Sequence, residues 1–180
     1  MFNYRLILTW TSIVLFCGAP LKTNAVERPN IVFILADDLG YGDIKAFGGD
    51  KNNIDTPHFD RLCSEGMKFT NAHVTDSVCV PSRTSIMTGR YAFRFGKAQP
   101  GGPWGFTGLR FPTTQHTLGH MFQAGGYATG YVGKWHLGTR MTTRDGRVQG
   151  PLNTDFTQPI EIGVSDYGFS DCFFLPGSLD

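Results

Sequence analysis

The sequence carries almost no net charge, with 16 basic residues facing 15 acidic ones. No stripe or cluster of lysine and arginine disturbs that balance, so the electrostatic footprint of a nucleic-acid binder is missing. An apolar run long enough to span a membrane is missing as well. The longest, Leu6 to Ala19, is broken by Thr9, Thr11 and Ser12 and is short for a membrane span, so no stable membrane anchor is expected. Cysteine is scarce, with four in 180 residues.

The first 25 residues instead have the parts of a secretory leader. Arg5 is the positive end, Leu6 to Ala19 the apolar stretch, and Thr23-Asn24-Ala25 a small-x-small cleavage site. Residues 1–25 are therefore expected to be a signal peptide and residues 26–180 the exported chain, periplasmic or secreted, or lysosomal in a eukaryote. Losing Arg5 and Lys22 with the leader leaves 14 basic residues against the same 15 acidic ones. Cys63, Cys79 and Cys172 remain, an odd count that leaves at least one thiol unpaired. Cys63 and Cys172 are a candidate pair, or both are buried thiols.

What is abundant is glycine and phenylalanine, 23 and 15 residues, which suggests tight turns around an aromatic interior. The length suffices for one domain with a core. Asn30 to Ala36 is a continuous apolar run, expected as a strand buried on both faces. It stops at Asp37-Asp38, two adjacent carboxylates that call for a positive partner. Oxygen-only donors there favour a hard divalent cation, calcium or magnesium; a solvated acidic turn is the plain alternative.

Thr56-Pro57 opens a helix that Gly66 ends, with Phe59 and Leu62 expected on the sheet. Met67 to Val74 reads as an extended segment, and His58 and His73 as structural histidines. Next comes Ser77-Val78-Cys79-Val80-Pro81-Ser82-Arg83, in which Pro81 fits a first helical turn and Gly89 its closing cap. Cys79 is expected just ahead of that helix, near free backbone N–H groups that attract anions. Arg83, one turn on, brings a permanent cation to the same side. A nucleophile, an anion cradle and a cation within five residues suit a tetrahedral oxyanion.

Tyr91 to Pro112, rich in glycine and proline, is expected as a surface loop. Thr113 to Ala124 is expected as a helix stopped by Gly125-Gly126, with His116 and His120 at its surface and lacking a third metal ligand. Tyr127 to Val132 reads as a strand, and Lys134 and His136 fall just beyond it, on the side of an α/β sheet where ligands bind. Strand, helix, strand, helix, helix and strand in alternation predict an α/β fold.

Cys79-Val80-Pro81-Ser82-Arg83 followed by Thr88-Gly89-Arg90 resembles the hallmark of the type I, formylglycine-dependent sulfatases, with Val80 where a smaller residue is usual. Gly126-Tyr127-Ala128-Thr129 with Gly133-Lys134-Trp135-His136 resembles their second signature. Thr56-Pro57 to Leu62, Phe69-Thr70-Asn71 and Tyr167-Gly168-Phe169 follow the family's pattern too, with His73 and Ser170 as departures. The resemblance covers nearly everything after residue 28. It implies the N-terminal portion of an alkaline-phosphatase-like sulfatase domain, a mostly parallel sheet flanked by helices. The family's remaining metal ligands, a further histidine and a further lysine would lie beyond Asp180, as in a fragment or a truncated gene.

By that resemblance, Cys79 is converted to formylglycine by a formylglycine-generating enzyme, and the hydrated aldehyde attacks sulfur. A second hydroxyl then expels sulfate, which a thiol cannot do. Asp37, Asp38 and the group made from Cys79 hold the cation. Arg83 and His136 orient the nucleophile and Lys134 binds sulfate oxygens. The implied substrates are sulfated small molecules or glycans. A phosphate or phosphonate ester hydrolase of the same superfamily, and an inactive truncated binding protein, are the other readings.

Overall fold

The computed structural model describes residues 28–48, 54–96 and 105–178. The leader expected at residues 1–25 lies outside them. The chain divides into two units, residues 1–36 and 37–180.

In the first unit the described residues form neither helix nor strand, and Ile31 to Leu35 are exposed, Val32 to 82%. The strand expected at Asn30–Ala36 is therefore not formed. A buried parallel strand needs ladder partners on its edges, and no described segment pairs with this one.

The second unit is built on α1 (Pro57–Glu65), α2 (Cys79–Thr88), α3 (Leu118–Ala124), β1 (Gly130–Lys134), β2 (Arg140–Met141), β3 (Ile160–Ile162) and β4 (Asp171–Leu175). β1 and β4 pair in parallel, from Gly130 opposite Asp171 to Lys134 opposite Leu175. The crossover between them holds an antiparallel pair, β2 with β3. The ladder runs past the end of β1, because the N–H of Trp135 donates to Leu175 O and that of His136 to Pro176 O.

Trp135, Leu137, Val164 and Tyr167 are fully buried, with Phe111 and Phe169 beside them. Ring centroids stand 5.0 Å apart for Phe111–Tyr167 and 5.5 Å for both Tyr131–Trp135 and Trp135–Tyr167, distances typical of favourable aromatic pairs. Two polar ends are satisfied inside, since Trp135 Nε1 donates to Gly138 O and the Tyr167 hydroxyl to Phe111 O. Burial drives the Tyr167 phenol up to about 12, so it stays a neutral donor.

Gly105 to Phe111 is not the surface loop expected there. Gly105, Thr107 and Phe111 are buried, and the segment runs against Leu137–Thr139. The N–H of Arg110 donates to Leu137 O and that of Thr139 to Thr107 O. Gly138 makes this approach feasible: its φ is +82°, and a Cβ there would sit 2.1 Å from Gly108 O.

Other expectations shift for local reasons. The third helix starts at Leu118 rather than Thr113, because the Thr117 hydroxyl caps it by accepting from His120 N. Phe59 and Leu62 are exposed, since no described sheet face lies over α1. Residues 67–74 form no ladder. Cys63, Cys79 and Cys172 are free thiols, so the pairing considered for Cys63 and Cys172 is not made.

Candidate active site

Cys79 is the first residue of α2, one position further in than expected, behind an extended Val78. Pro81 thus falls in the first turn, where its missing N–H costs no helical bond. Gly89, left-handed at φ +64°, closes the helix by donating to Ser85 O. Between these ends, Cys79 and Arg83 stand four residues apart on one helix face.

From the other side comes the end of β1. The Cys79 thiol lies 3.4 Å from His136 Nδ1, a contact across 57 positions of sequence. His136 is buried and holds a left-handed backbone at φ +56°, uncommon for a residue with a Cβ. Its N–H is fixed to the carbonyl of Pro176. The ring is therefore set by the backbone of two adjoining strand ends.

The cations converge one step away. Arg83, with only 9% of its side chain exposed, donates from Nη1 to Lys134 O at 2.7 Å and reaches Asp37 Oδ2 with Nη2 at 3.4 Å. Lys134 Nζ lies 2.6 Å from the same carboxylate oxygen. The hydrogen bond from Lys134, reinforced by the charge of Arg83 and opposed by partial burial, holds the Asp37 carboxyl below the ordinary carboxylate range. The pair's stabilisation is thus present above that range and is lost as pH falls through the lowered value.

One buried donor here has no acceptor among the described residues, Arg83 Nε. A buried guanidinium N–H left open is costly, and it suits an oxygen brought by a ligand. Tyr131, which sequence reasoning took only as part of a strand, also belongs here. Its hydroxyl donates to the same Lys134 carbonyl as Arg83, and burial raises its phenol. Lying four residues before Trp135 gave no sign of this.

Asp38 stands apart from the cluster. It is exposed, at φ +56°, and makes no hydrogen bond or ion pair among the described residues. Two carboxylates adjacent in sequence, one of them unengaged among the described residues, suit a hard cation in kind. In number they fall short, because no third acidic, cysteine or histidine side chain joins them among the described residues. His116 and His120 make an edge-to-face ring contact instead, and His120 Nδ1 accepts from Thr117 N.

The sequence model of the sulfatase family matches residues 29–167. The chain belongs to the sulfatase family. It is 39% identical to an N-acetylgalactosamine-6-O-sulfatase of Bacteroides thetaiotaomicron over 182 residues, 98% of this chain and 33% of that protein. Steryl-sulfatase of Homo sapiens is 34% identical, over 91% of this chain and 31% of its own length. A solved structure titled for the metabolism of multiple glycosaminoglycans by B. thetaiotaomicron superposes with a TM-score of 0.71 at 38% identity. That match covers 84% of this chain and 29% of the other. The chain thus spans about a third of the length of these sulfatases. Its fold is that of part of the alkaline-phosphatase-like sulfatase domain. Sulfatases generally use formylglycine and a divalent metal.

Proposed function

We propose that the protein is a sulfuric ester hydrolase whose nucleophile is made from Cys79. The observation that carries this reading is the meeting of two strand-end residues with two residues of α2: the His136 ring lies against the Cys79 thiol, and Arg83, one turn on, is bound to the Lys134 carbonyl and shares the Asp37 carboxylate with the Lys134 ammonium. Three cation-capable groups beside a helix-start nucleophile suit an ester that places negative oxygens on a tetrahedral centre.

In this reading His136, 3.4 Å from Cys79 Sγ, holds a proton at Nδ1 opposite the reacting side chain and fixes its rotamer. Arg83 cannot deprotonate, so it keeps positive charge beside that side chain throughout, its open Nε receiving a ligand oxygen. Lys134 exchanges Asp37 for a sulfate oxygen as charge develops. Formylglycine at position 79 supplies an aldehyde whose hydrate has two hydroxyls, which a thiol lacks. Asp37 and Asp38 would hold a divalent cation, calcium by the hardness of their oxygens, with further oxygens from outside the described residues. Such an ion polarises a bound oxygen.

The substrate class is an organic sulfate, and the relatives widen rather than narrow it, since one is named for an amino sugar and another for sterols. The test is turnover of 4-nitrophenyl sulfate against 4-nitrophenyl phosphate by protein made with a formylglycine-generating enzyme. Preference for sulfate by about 100-fold or more is expected, roughly 2.7 kcal/mol of discrimination. Equal turnover, or faster phosphate cleavage, would move the protein to the phosphoesterases.

Export belongs to the same reading. Cleavage after Ala25 gives a mature protein that starts at Val26. No helix among the described residues is long and apolar enough to cross a membrane. N-terminal sequencing of exported protein should read Val26 first, and a chain still starting at Met1 refutes the leader.

A further inference from the structure

Three residues beyond His136 the chain enters a cleft of about 470 Å³ that the reaction at Cys79 does not use. Gly108, Leu109, Thr139, Arg140, Arg147 and Gln149 are among the residues lining it. The volume lies in the range of small-ligand sites. Thr139 can be no further from His136 than roughly 11 Å, three residues of extended chain. The wall is firm, because Thr139 N is held by Thr107 O and Gln149 bridges Met141 N and Thr139 O.

The cleft is one-sided in charge. Residues 140–150 contain Arg140, Arg144 and Arg147 against the single carboxylate of Asp145. That carboxylate is already engaged. It accepts from Arg147 N at 3.0 Å and from Asn153 Nδ2 at 2.8 Å, and these bonds hold it below the usual range. Neither Arg140 nor Arg147 pairs with a carboxylate among the described residues. Two guanidinium groups without counter-ions among the described residues, in a concave site, are built for oxyanions.

We infer that this cleft binds a second anionic group, sulfate or carboxylate, of a saccharide whose scissile sulfate lies at Cys79 and His136. The inference rests on the sulfatase reading for the first anion and selects among its substrates. Multiply charged glycans are favoured over sulfated sterols and aryl sulfates, which bring only one anion.

The full chain tests it by NMR titration with three probes: N-acetylgalactosamine 6-sulfate, the same sugar linked to a uronate, and a disulfated disaccharide. Either two-anion probe is expected to bind about tenfold tighter than the monosaccharide, the yield of one charge-assisted contact. Only these two should shift the amides of Gly108, Arg147 and Gln149, and comparing them tells carboxylate from sulfate. Arg147→Ala and Arg140→Ala should each erase most of the tenfold gain and leave monosaccharide binding unchanged. Equal affinity for all three probes, or equal weakening of all three by the variants, overturns the inference. Should a variant fail to fold, the wild-type shift map decides alone. If the two-anion probes shift the cleft amides while no probe shifts those of Cys79 and His136, the cleft stands as an anion site and the sulfatase reading of the other site falls.

Discussion

Made together with a formylglycine-generating enzyme, the peptide that holds Cys79 is expected to lose about 18 Da, the thiol-to-aldehyde difference, while Cys63 and Cys172 keep their thiols. The selectivity is written in the neighbours. Only Cys79 has proline two residues on and arginine four residues on. Conversion should precede folding, because in the folded chain Cys79 is half-buried, tied into the first turn of α2 and covered by His136. Cys79→Ser should escape the cysteine-directed enzyme and lower sulfate turnover by roughly three orders of magnitude or more, as loss of a covalent nucleophile does. It should also accumulate a sulfated serine, since a serine ester has no second hydroxyl to expel sulfate. An intact thiol at Cys79, found by mass spectrometry in protein that hydrolyses aryl sulfates at full rate, would refute the mechanism.

Much of this site can be read in the sequence because its parts are set by local chemistry. Pro81 and Gly89 mark the two ends of α2, and Gly125-Gly126 ends α3, by backbone preferences that need no distant partner. His136 sits just past β1 as expected, whereas Lys134 is the strand's last residue rather than lying beyond it, because the ladder with β4 continues to Leu175. What could not be read depends on distant partners. Asn30 to Ala36 has the composition of a central strand, yet composition cannot supply the neighbour a ladder requires. Gly105 to Phe111 looks like a loop by its glycines, yet its backbone at Gly108 packs against Gly138, whose missing Cβ lets the two backbones touch. The cleft of Arg140 and Arg147 gave no sequence signal, because charges scattered over eight residues mean nothing until β2 and β3 fold them together. Tyr131 was hidden likewise, its hydroxyl reaching a carbonyl that only the strand end presents.

Calcium is expected to raise the unfolding temperature of the wild-type protein and to leave that of Asp38→Asn unchanged. A ligand at about one hundred times its dissociation constant stabilises by about 2.7 kcal/mol, and each kcal/mol moves the midpoint of a domain this size by about 2–4 °C. A shift of several degrees is therefore the signal. Asp38 makes no hydrogen bond or ion pair among the described residues, so its amide variant should melt like the calcium-free wild type, and loss of the shift then reports a lost metal ligand alone. Asp37→Asn should lose the shift and also melt lower without calcium, because its carboxylate holds Lys134 and the buried Arg83. Asp37 is 40% exposed, so solvent screening limits that second effect to about 1 kcal/mol. The two variants thereby separate metal ligation from ion pairing at adjacent positions. A calcium shift in Asp38→Asn as large as in the wild type would return Asp38 to a solvated turn. The same full shift in Asp37→Asn would leave that carboxylate as the partner of Lys134 and Arg83 and nothing more.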